Sequence, residues 1–126
     1  MRIILIDDDK DLCHLTKLAL VKNGYQVSAF NDADQGISDA RKNKPDLILM
    51  DIMLPGMGGP EAVRILQSEA NLKNVPVIFL TGLVAGNEAT LEDVGLSVSG
   101  LNYRVLGKPY EIEKLLEVVR KCIKKY

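Results

Sequence analysis

Four short, mainly apolar runs in this chain each stop at, or one position before, a residue that can carry chemistry, and this pattern limits the folds open to it. The runs are Ile3–Ile6, Leu47–Met50, Val77–Leu80 and Tyr103–Leu106. Strands that are apolar on both faces are typical of parallel sheets covered by helices on both sides. The carboxyl ends of such strands lie along one edge, where these folds bind ligands. The residues that follow the four runs are therefore predicted to form one site.

Stretches of helical periodicity separate the runs, and this alternation predicts repeated βαβ units. We expect a doubly wound α/β fold of the (βα)5 type, with a five-stranded parallel sheet flanked by five helices. The remaining strand is predicted at Gln26–Phe30. The predicted helices run from Lys10 to Asn23, from a cap at Asn31 or Asp32 to Lys42, from Pro60 to Glu69, from Glu88 to Val94 and from Glu111 to Lys124.

The first predicted helix carries several apolar residues at helical spacing. The pattern places the buried stripe on or beside Leu12, Leu15, Leu18, Ala19 and Lys22. The least regular part of the sequence is 82–100, where glycines and serines dilute the periodicity.

The length and charge of the chain restrict its class. Its 126 residues suffice for one core, and we predict a single domain over residues 1–126. A formal net charge of −1 does not favour a whole-domain attraction to nucleic acid or membrane. The sequence shows no signal peptide, no membrane-spanning stretch and no basic recognition helix. We expect a cytoplasmic protein that contacts neither nucleic acid nor membrane directly.

Three acids follow two of the predicted strands. Asp7 and Asp8 come after the first strand, and Asp51 comes after the third. If the ends of these strands converge, the three carboxylates lie close together. Neighbouring carboxylates either have a raised pKa or require a cation between them. Oxygen ligands without histidine or thiolate favour Mg²⁺, with Mn²⁺ next. We therefore predict that the three acids hold Mg²⁺, whereas Asp9 is expected to begin the first helix.

Asp51 ends an apolar strand alone, which fixes its direction and makes it the best candidate nucleophile. A carboxylate that attacks a phosphoryl group forms an acyl phosphate. The transfer requires neutralisation of charge on the phosphoryl oxygens. Mg²⁺ could supply part of it, the Lys108 ammonium a second contact and the Thr81 hydroxyl a hydrogen bond. A cis Lys108–Pro109 bond would be one way to turn the lysine over the crevice.

These residues resemble the receiver domains of bacterial two-component response regulators, the CheY-like family. Ile4–Asp9 is similar to the family's first-strand acidic motif, and Pro45–Met57 is similar to its phosphoacceptor segment. Pro76–Gly82 resembles its fourth strand, and Gly107–Tyr110 resembles its lysine-proline turn. The four motifs occur in the family's order and span most of the chain. The resemblance implies a flavodoxin-like fold and a role in signalling.

The resemblance also implies the site. Asp51 would accept a phosphoryl group from a phosphohistidine on a sensor histidine kinase or a histidine phosphotransfer protein. Asp8 and Asp51 would bind Mg²⁺ directly, Asp7 would act mainly through a water, and the Met53 backbone carbonyl would complete the protein ligands. The domain would catalyse its own phosphorylation and slow dephosphorylation without being an enzyme in the ordinary sense.

The resemblance also implies how the domain would transmit its signal. Thr81 and Lys108 would contact the phosphoryl group and move with it, shifting the protein between two populated states. This shift would alter the binding of a downstream protein target or effector domain, or the phosphoryl group would be relayed. The sequence leaves open whether the chain acts alone or belongs to a longer regulator.

The sequence departs from the family pattern in the region that carries the output. The family's switch aromatic normally lies three residues before the lysine, where this chain has Val105, and Tyr103 comes two residues earlier. Twenty-seven positions separate Thr81 from Lys108, a few more than usual. The extra residues fall in Gly95–Gly100, so we expect an atypical fourth helix or a lengthened loop.

Two positions near the nucleophile bear on the lifetime of an acyl phosphate. In the family, the residues two after the phosphoacceptor and two after the threonine flank the path of the hydrolytic water. Here they are Met53 and Leu83, which cannot orient water or act as a general base. We predict slow autodephosphorylation. Gly58, where the family often has an acid, is a further and smaller departure.

Two alternatives come from other functional classes. A Mg²⁺-dependent phosphohydrolase would use Asp51 as its turnover nucleophile, but the general acid expected two residues later is replaced by Met53. A degenerate interaction domain would work without phosphorylation. The intact set of Asp8, Asp51, Thr81 and Lys108 argues against it, whereas the missing switch aromatic keeps this alternative open.

Overall fold

The computed structural model describes residues 1–82 and 95–123. These ranges contain six strands and four helices. The strands are β1 (Arg2–Ile6), β2 (Gln26–Phe30), β3 (Leu47–Asp51), β4 (Val77–Thr81), β5 (Leu96–Val98) and β6 (Leu101–Gly107). The helices are α1 (Lys10–Lys22), α2 (Ala33–Lys42), α3 (Gly59–Gln67) and α4 (Ile112–Ile123). The helix predicted at Glu88–Val94 lies outside the described residues.

The strands form one sheet in the order β2-β1-β3-β4-β6-β5. All pairs from β2 to β6 are parallel, which confirms the doubly wound α/β prediction. The chain steps from β1 outward to β2 and then returns to place β3 on the other side of β1. Such a switch point opens a crevice at the carboxyl ends of the two central strands. Ile6 of β1 pairs with Met50 of β3, so the acids that follow them enter the crevice side by side.

The described sheet has one strand more than the five predicted, because β5 pairs antiparallel with β6 at one edge. A two-residue turn joins them, because Val98 pairs with Leu101. Ser99 and Gly100 both have positive φ, at 52° and 83°. This backbone matches the right-handed twist of a hairpin. Gly95–Gly100 is therefore a strand and a turn, neither the helix nor the loop expected there.

The core has two apolar layers, one on each face of the sheet, because side chains alternate along each strand. Ile4, Met50 and Phe79 lie in the layer under α2 and α3. Leu5 and Leu49 lie in the layer under α1 and α4. Burial on both faces explains why these strands are apolar throughout. Within the described ranges, no helix has the length and apolar character needed to cross a bilayer.

The buried face of α1 differs from the predicted stripe. Cys13, Thr16 and Leu20 are buried, whereas Leu15 and Leu18 are 61% and 52% exposed. The helix carries more apolar residues than one face can hold. Its own sequence therefore does not determine which face contacts the sheet. Asp9 caps the helix by accepting a hydrogen bond from the Leu12 amide at 3.1 Å, which confirms its predicted role. The exposed residues Leu15, Leu18 and Val21 form a second stripe on α1, called the outer stripe below.

Candidate functional site

The crevice brings together the side chains predicted from the strand ends. Asp7 directly follows β1, Asp51 ends β3 and Thr81 ends β4. All three are buried. The register places Asp51 opposite Leu80 and Thr81 opposite Gly107, so the ends of three neighbouring strands lie level. The geometry agrees with the strand-end prediction.

Lys108 reaches the same place from the end of β6. Its Nζ lies 2.8 Å from Asp7 Oδ2 and 2.9 Å from Asp51 Oδ2. Its backbone amide donates to the Thr81 carbonyl at 2.7 Å, and the Lys108–Pro109 peptide bond is cis. Burial alone would lower the pKa of this lysine, but its close contacts with the Asp51 and Asp7 carboxylates outweigh burial and raise the pKa. The lysine therefore remains an ammonium ion in the crevice.

Asp7 is the most deeply buried acid of the site. The Asp9 amide donates to its Oδ1 at 3.0 Å. Its Oδ2 faces Lys108 but accepts no well-directed hydrogen bond. Burial raises the pKa of the Asp7 carboxyl, and the contacts with Lys108 and the Asp9 amide oppose this rise. A buried carboxylate oxygen with spare acceptor capacity fits a cation-binding role.

Asn31 supports this acid and was missed as a site residue. Its side-chain amide donates to the Asp7 carbonyl at 2.9 Å. The bond ties the end of β2 to the loop that carries the acids. The sequence pointed to Asn31 only as a possible helix cap, and the actual cap of α2 is Asp32. Because Asn31 follows a strand as the predicted site residues do, the strand-end rule could have found it.

Asp8 completes an acidic cluster at the mouth of the crevice. One carboxylate oxygen from each of Asp7, Asp8 and Asp51 lies within 4.8 Å of the others. Asp8 is exposed, whereas the other two are buried. Three carboxylates without histidine or thiolate form the hard donor set that Mg²⁺ prefers. The donor set and the free acceptor capacity of Asp7 Oδ2 both fit this ion.

Both carboxylate oxygens of Asp51 have partners. The Met53 amide donates to Oδ1 at 3.2 Å, and Lys108 contacts Oδ2. The Met53 side chain is 61% exposed in the loop after β3. That loop leads into α3, whose first residue, Gly59, packs directly against the backbone of Asp51. Leu83, the other residue predicted to influence hydrolysis, lies outside the described residues.

Tyr103 is anchored on the same face of β6 as Val105. Its ring packs edge-on against Phe79 with the ring centroids 5.7 Å apart. Its hydroxyl accepts a hydrogen bond from Gln67 Nε2 at 2.6 Å, and the same nitrogen donates to the Val98 carbonyl at 3.2 Å. Tyr103 thus connects the β5–β6 hairpin to the end of α3, while Val105 is buried closer to the crevice.

Sequence comparison identifies relatives of this chain. A family model described as response regulator receiver domain matches residues 3–120. The chain is 33% identical over 118 residues to Protein PilH of Pseudomonas aeruginosa, with 94% of this chain and 93% of PilH covered. It is 31% identical over 119 residues to the DNA-binding response regulator MtrA of Mycolicibacterium paratuberculosis, with 94% of this chain and 49% of MtrA covered. The chain therefore spans about half the length of that relative.

Solved structures show the same fold. The receiver domain of a sensor histidine kinase from P. aeruginosa PAO1, with a magnesium ion coordinated in its active site cleft, is 25% identical with a TM-score of 0.83. The match covers 98% of each chain. A CheY-like response regulator receiver domain protein from Methanospirillum hungatei is 27% identical with a TM-score of 0.80, covering 98% of this chain and 94% of the other.

Proposed function

This chain belongs to the response regulator receiver domain family, and we propose that Asp51 is its phosphoacceptor. The family acts in two-component signal transduction, and phosphorylation and Mg²⁺ binding are typical of it. One observation carries the assignment of Asp51: its carboxylate lies among two further acids, with the Lys108 ammonium 2.9 Å from Oδ2. The buried position beside a cation suits a carboxylate that must meet an anionic phosphoryl group.

The proposed step is a displacement at phosphorus. An Asp51 carboxylate oxygen forms a bond to the phosphorus of a phosphohistidine, and the P–N bond breaks. The leaving imidazole nitrogen takes the electron pair of that bond. Lys108 offsets the charge of the transferred group, and Thr81, at the adjacent strand end, stands where its hydroxyl can serve as a hydrogen-bond partner. The protein carries out its own modification in this way and is not a turnover enzyme.

We propose that Asp8 and Asp51 bind Mg²⁺ directly, that Asp7 acts mainly through a bound water and that the Met53 carbonyl completes the protein ligands. When bound, the ion neutralises charge on the carboxylates and on the phosphoryl oxygens. The cluster geometry and the hard oxygen donors support this assignment. Lys108 already pairs with two of the acids, so the ion and the lysine would together neutralise the three negative charges.

The proposed donor is a sensor histidine kinase or a histidine phosphotransfer protein. Receiver domains interact with histidine kinases and with downstream effectors, and the proposed output is a downstream protein target, an effector domain or a phosphorelay. We propose that residues 1–126 form a single receiver domain that works in the cytoplasm. DNA binding, named for MtrA, is not assigned to this chain, which spans about half of that protein.

Intact-protein mass spectrometry after incubation with acetyl phosphate and Mg²⁺ tests the phosphoacceptor. The wild type is expected to gain one phosphoryl group, and Asp51→Asn is expected to gain none. A chelator is expected to abolish the gain. Asp34→Asn, at an exposed position of α2, is the matched control and should behave as the wild type. An adduct that persists in Asp51→Asn would refute the assignment.

An assay for turnover of a generic phosphate ester distinguishes a receiver domain from a phosphohydrolase. Steady release of phosphate by the wild type, lost in Asp51→Asn, would favour the Mg²⁺-dependent phosphohydrolase. Absence of any adduct together with unchanged partner binding in Asp51→Asn would favour the phosphorylation-independent domain. The proposal requires a single, slowly lost phosphoryl group.

A further inference from the structure

The starting observation is a buried polar residue outside the crevice. In residues 1–82 and 95–123, the buried polar and charged residues are Asp7, Thr16, Asp51 and Thr81. Three of them belong to the phosphorylation site, and Thr16 does not. Thr16 lies on the sheet-facing side of α1 and is 0% exposed. A hydroxyl buried without a partner destabilises a protein, so the partner of Thr16 matters.

That partner is Tyr110. The Thr16 Oγ1 and Tyr110 hydroxyl oxygens are 2.8 Å apart and share a hydrogen bond across 94 residues of sequence. Tyr110 follows Lys108 by two residues, in a turn that precedes α4. Burial raises the pKa of the Tyr110 phenol, so the hydroxyl keeps its proton at neutral pH.

The lysine turn has two anchors. At its start, the Lys108 amide donates to the Thr81 carbonyl at 2.7 Å. At its far end, the Tyr110 side chain is bound to Thr16. Residues 108–111 belong to no helix or strand, so the position of this segment depends on individual contacts such as these two.

The second anchor is connected to the acidic loop through α1. α1 begins at its cap Asp9, directly after Asp7 and Asp8. The Asp9 amide also donates to Asp7 Oδ1 at 3.0 Å. The helix that holds Thr16 is therefore joined to the acidic loop, and the Thr16–Tyr110 bond joins the lysine turn to that same helix.

We propose that Thr16 and Tyr110 form a positioning pair that sets the reach of the Lys108 ammonium between Asp7 and Asp51. Neither residue touches the reacting atoms. The consequence for phosphoryl transfer rests on the proposed function, whereas the effect on the lysine itself does not. A displacement of about 1 Å in a reacting group can slow a reaction by roughly 100-fold, so the loss of one anchoring bond is expected to have a measurable effect.

The test compares Tyr110→Phe, Thr16→Val and the double variant. Each single variant leaves one hydroxyl without its present partner, whereas the double variant removes both hydroxyls and should regain most of the lost stability. Phosphorylation of Asp51 by acetyl phosphate is expected to slow about threefold to tenfold in all three. A merely structural pair would instead recover its rate together with its stability in the double variant, and that result would overturn the proposal.

The Lys108→Ala background shows whether the pair acts through the lysine. Adding Tyr110→Phe to Lys108→Ala should slow phosphorylation no further, because the group that the pair positions is gone. A further slowing of the same size as in the wild-type background would contradict the proposal. Tyr25→Phe removes the hydroxyl of a half-buried tyrosine immediately before β2; it is the matched control and should keep the wild-type rate.

A second readout does not depend on phosphorylation. Acetic anhydride labelling followed by peptide mass spectrometry reports how accessible each lysine amine is. Lys108 is expected to label at least threefold faster in Tyr110→Phe and in the double variant than in the wild type, with Lys17 unchanged as the internal reference. Equal labelling of Lys108 in all variants would refute the positioning pair. A wild type that takes no phosphoryl group would refute the proposed function, and the labelling result would still decide the pair.

Discussion

At the scale of single residues, Asp7 shows a conflict between stability and binding. Its carboxyl is fully buried, and burial raises its pKa in the folded chain. An acid with a raised folded pKa stabilises the fold fully below its unfolded pKa, and this contribution is lost as the pH rises through the folded pKa. Above the folded pKa, the ionised Asp7 therefore disfavours the folded state. Functional sites commonly reduce stability in this way.

Asp7→Asn is expected to stabilise the metal-free protein by about 1 kcal/mol at neutral pH, because the amide removes a buried charge and Lys108 keeps Asp51 as its partner. Urea unfolding in a chelator measures the gain. In excess Mg²⁺ the wild type should recover part of the difference, since the ion stabilises only the folded state. Asp8→Asn, at an exposed position, is the control and should change metal-free stability little. A variant less stable than the wild type in chelator would contradict the argument.

Met53 carries the prediction on the lifetime of the acyl phosphate. Its exposed apolar side chain lies in the loop directly after Asp51 and offers no group that could direct a water. Met53→Asn combined with Leu83→Glu is expected to shorten the acyl-phosphate half-life roughly tenfold, because both polar groups could orient the attacking water. Loss of the adduct, followed by intact mass over time, measures the half-life. Met53→Leu is the apolar control, and an unchanged half-life in the polar double variant would disprove the idea.

At the scale of elements, α3 depends on a close approach to the strand that ends at Asp51. A Cβ atom at Gly59 would lie 2.7 Å from the Asp51 carbonyl oxygen and 3.0 Å from Phe79 Cε1. The first atom belongs to backbone, so the start of α3 or the end of β3 would have to shift. The glycine is required by space and not by its φ angle.

Gly59→Ala is therefore expected to destabilise the fold by about 1–3 kcal/mol and to slow phosphorylation of Asp51. Gly58→Ala is the matched control. A Cβ at Gly58 would meet no atom nearer than 3.6 Å, so roughly 0.5 kcal/mol is expected there, from the change of the helix N-cap. Urea unfolding and the acetyl phosphate reaction measure the two effects. Equal losses in both variants would show that space at Gly59 is not the cause.

The elements also show where the sequence was insufficient. Ser99-Gly100 is a recognisable turn signal, but the sequence does not reveal the strand before it, because three residues give too short an alternation to detect. The buried face of α1 could not be chosen because two apolar stripes lie side by side on that helix. Packing against the sheet selected Cys13, Thr16 and Leu20, which no local pattern distinguishes from Leu15 and Leu18.

At the scale of the whole molecule, the parallel sheet made the site predictable. Once the strands are parallel, residues at their ends must converge, and Asp7, Asp51, Thr81 and Lys108 meet as expected. The contacts that support them were beyond this reasoning. Thr16 and Tyr110 are far apart in sequence, and nothing local in either residue indicates the other. Strand order brings site residues together, whereas their support depends on side-chain packing that only the folded chain reveals.

The outer stripe of α1 gives a prediction about how the whole domain meets its phosphodonor. Leu15, Leu18 and Val21 are exposed on the helix that starts beside the acidic cluster. A protein that delivers a phosphoryl group to a crevice must contact the surface around it, and exposed apolar side chains at helical spacing suit an apolar face of a partner. We expect a histidine-phosphorylated kinase or phosphotransfer protein to dock there.

Leu18→Asp is therefore expected to slow phosphotransfer from a histidine-phosphorylated partner about tenfold, because a charge would be buried in the contact, while acetyl phosphate should still react at the wild-type rate. Radiolabel transfer and intact mass measure the two reactions. Leu101→Asp is the matched control, since Leu101 is 54% exposed and Leu18 52%, but Leu101 lies on the hairpin away from α1. Because acetyl phosphate needs no docking surface, equal slowing with both donors would point to damage at Asp51. Equal slowing by both substitutions with the protein donor would place the docking surface elsewhere.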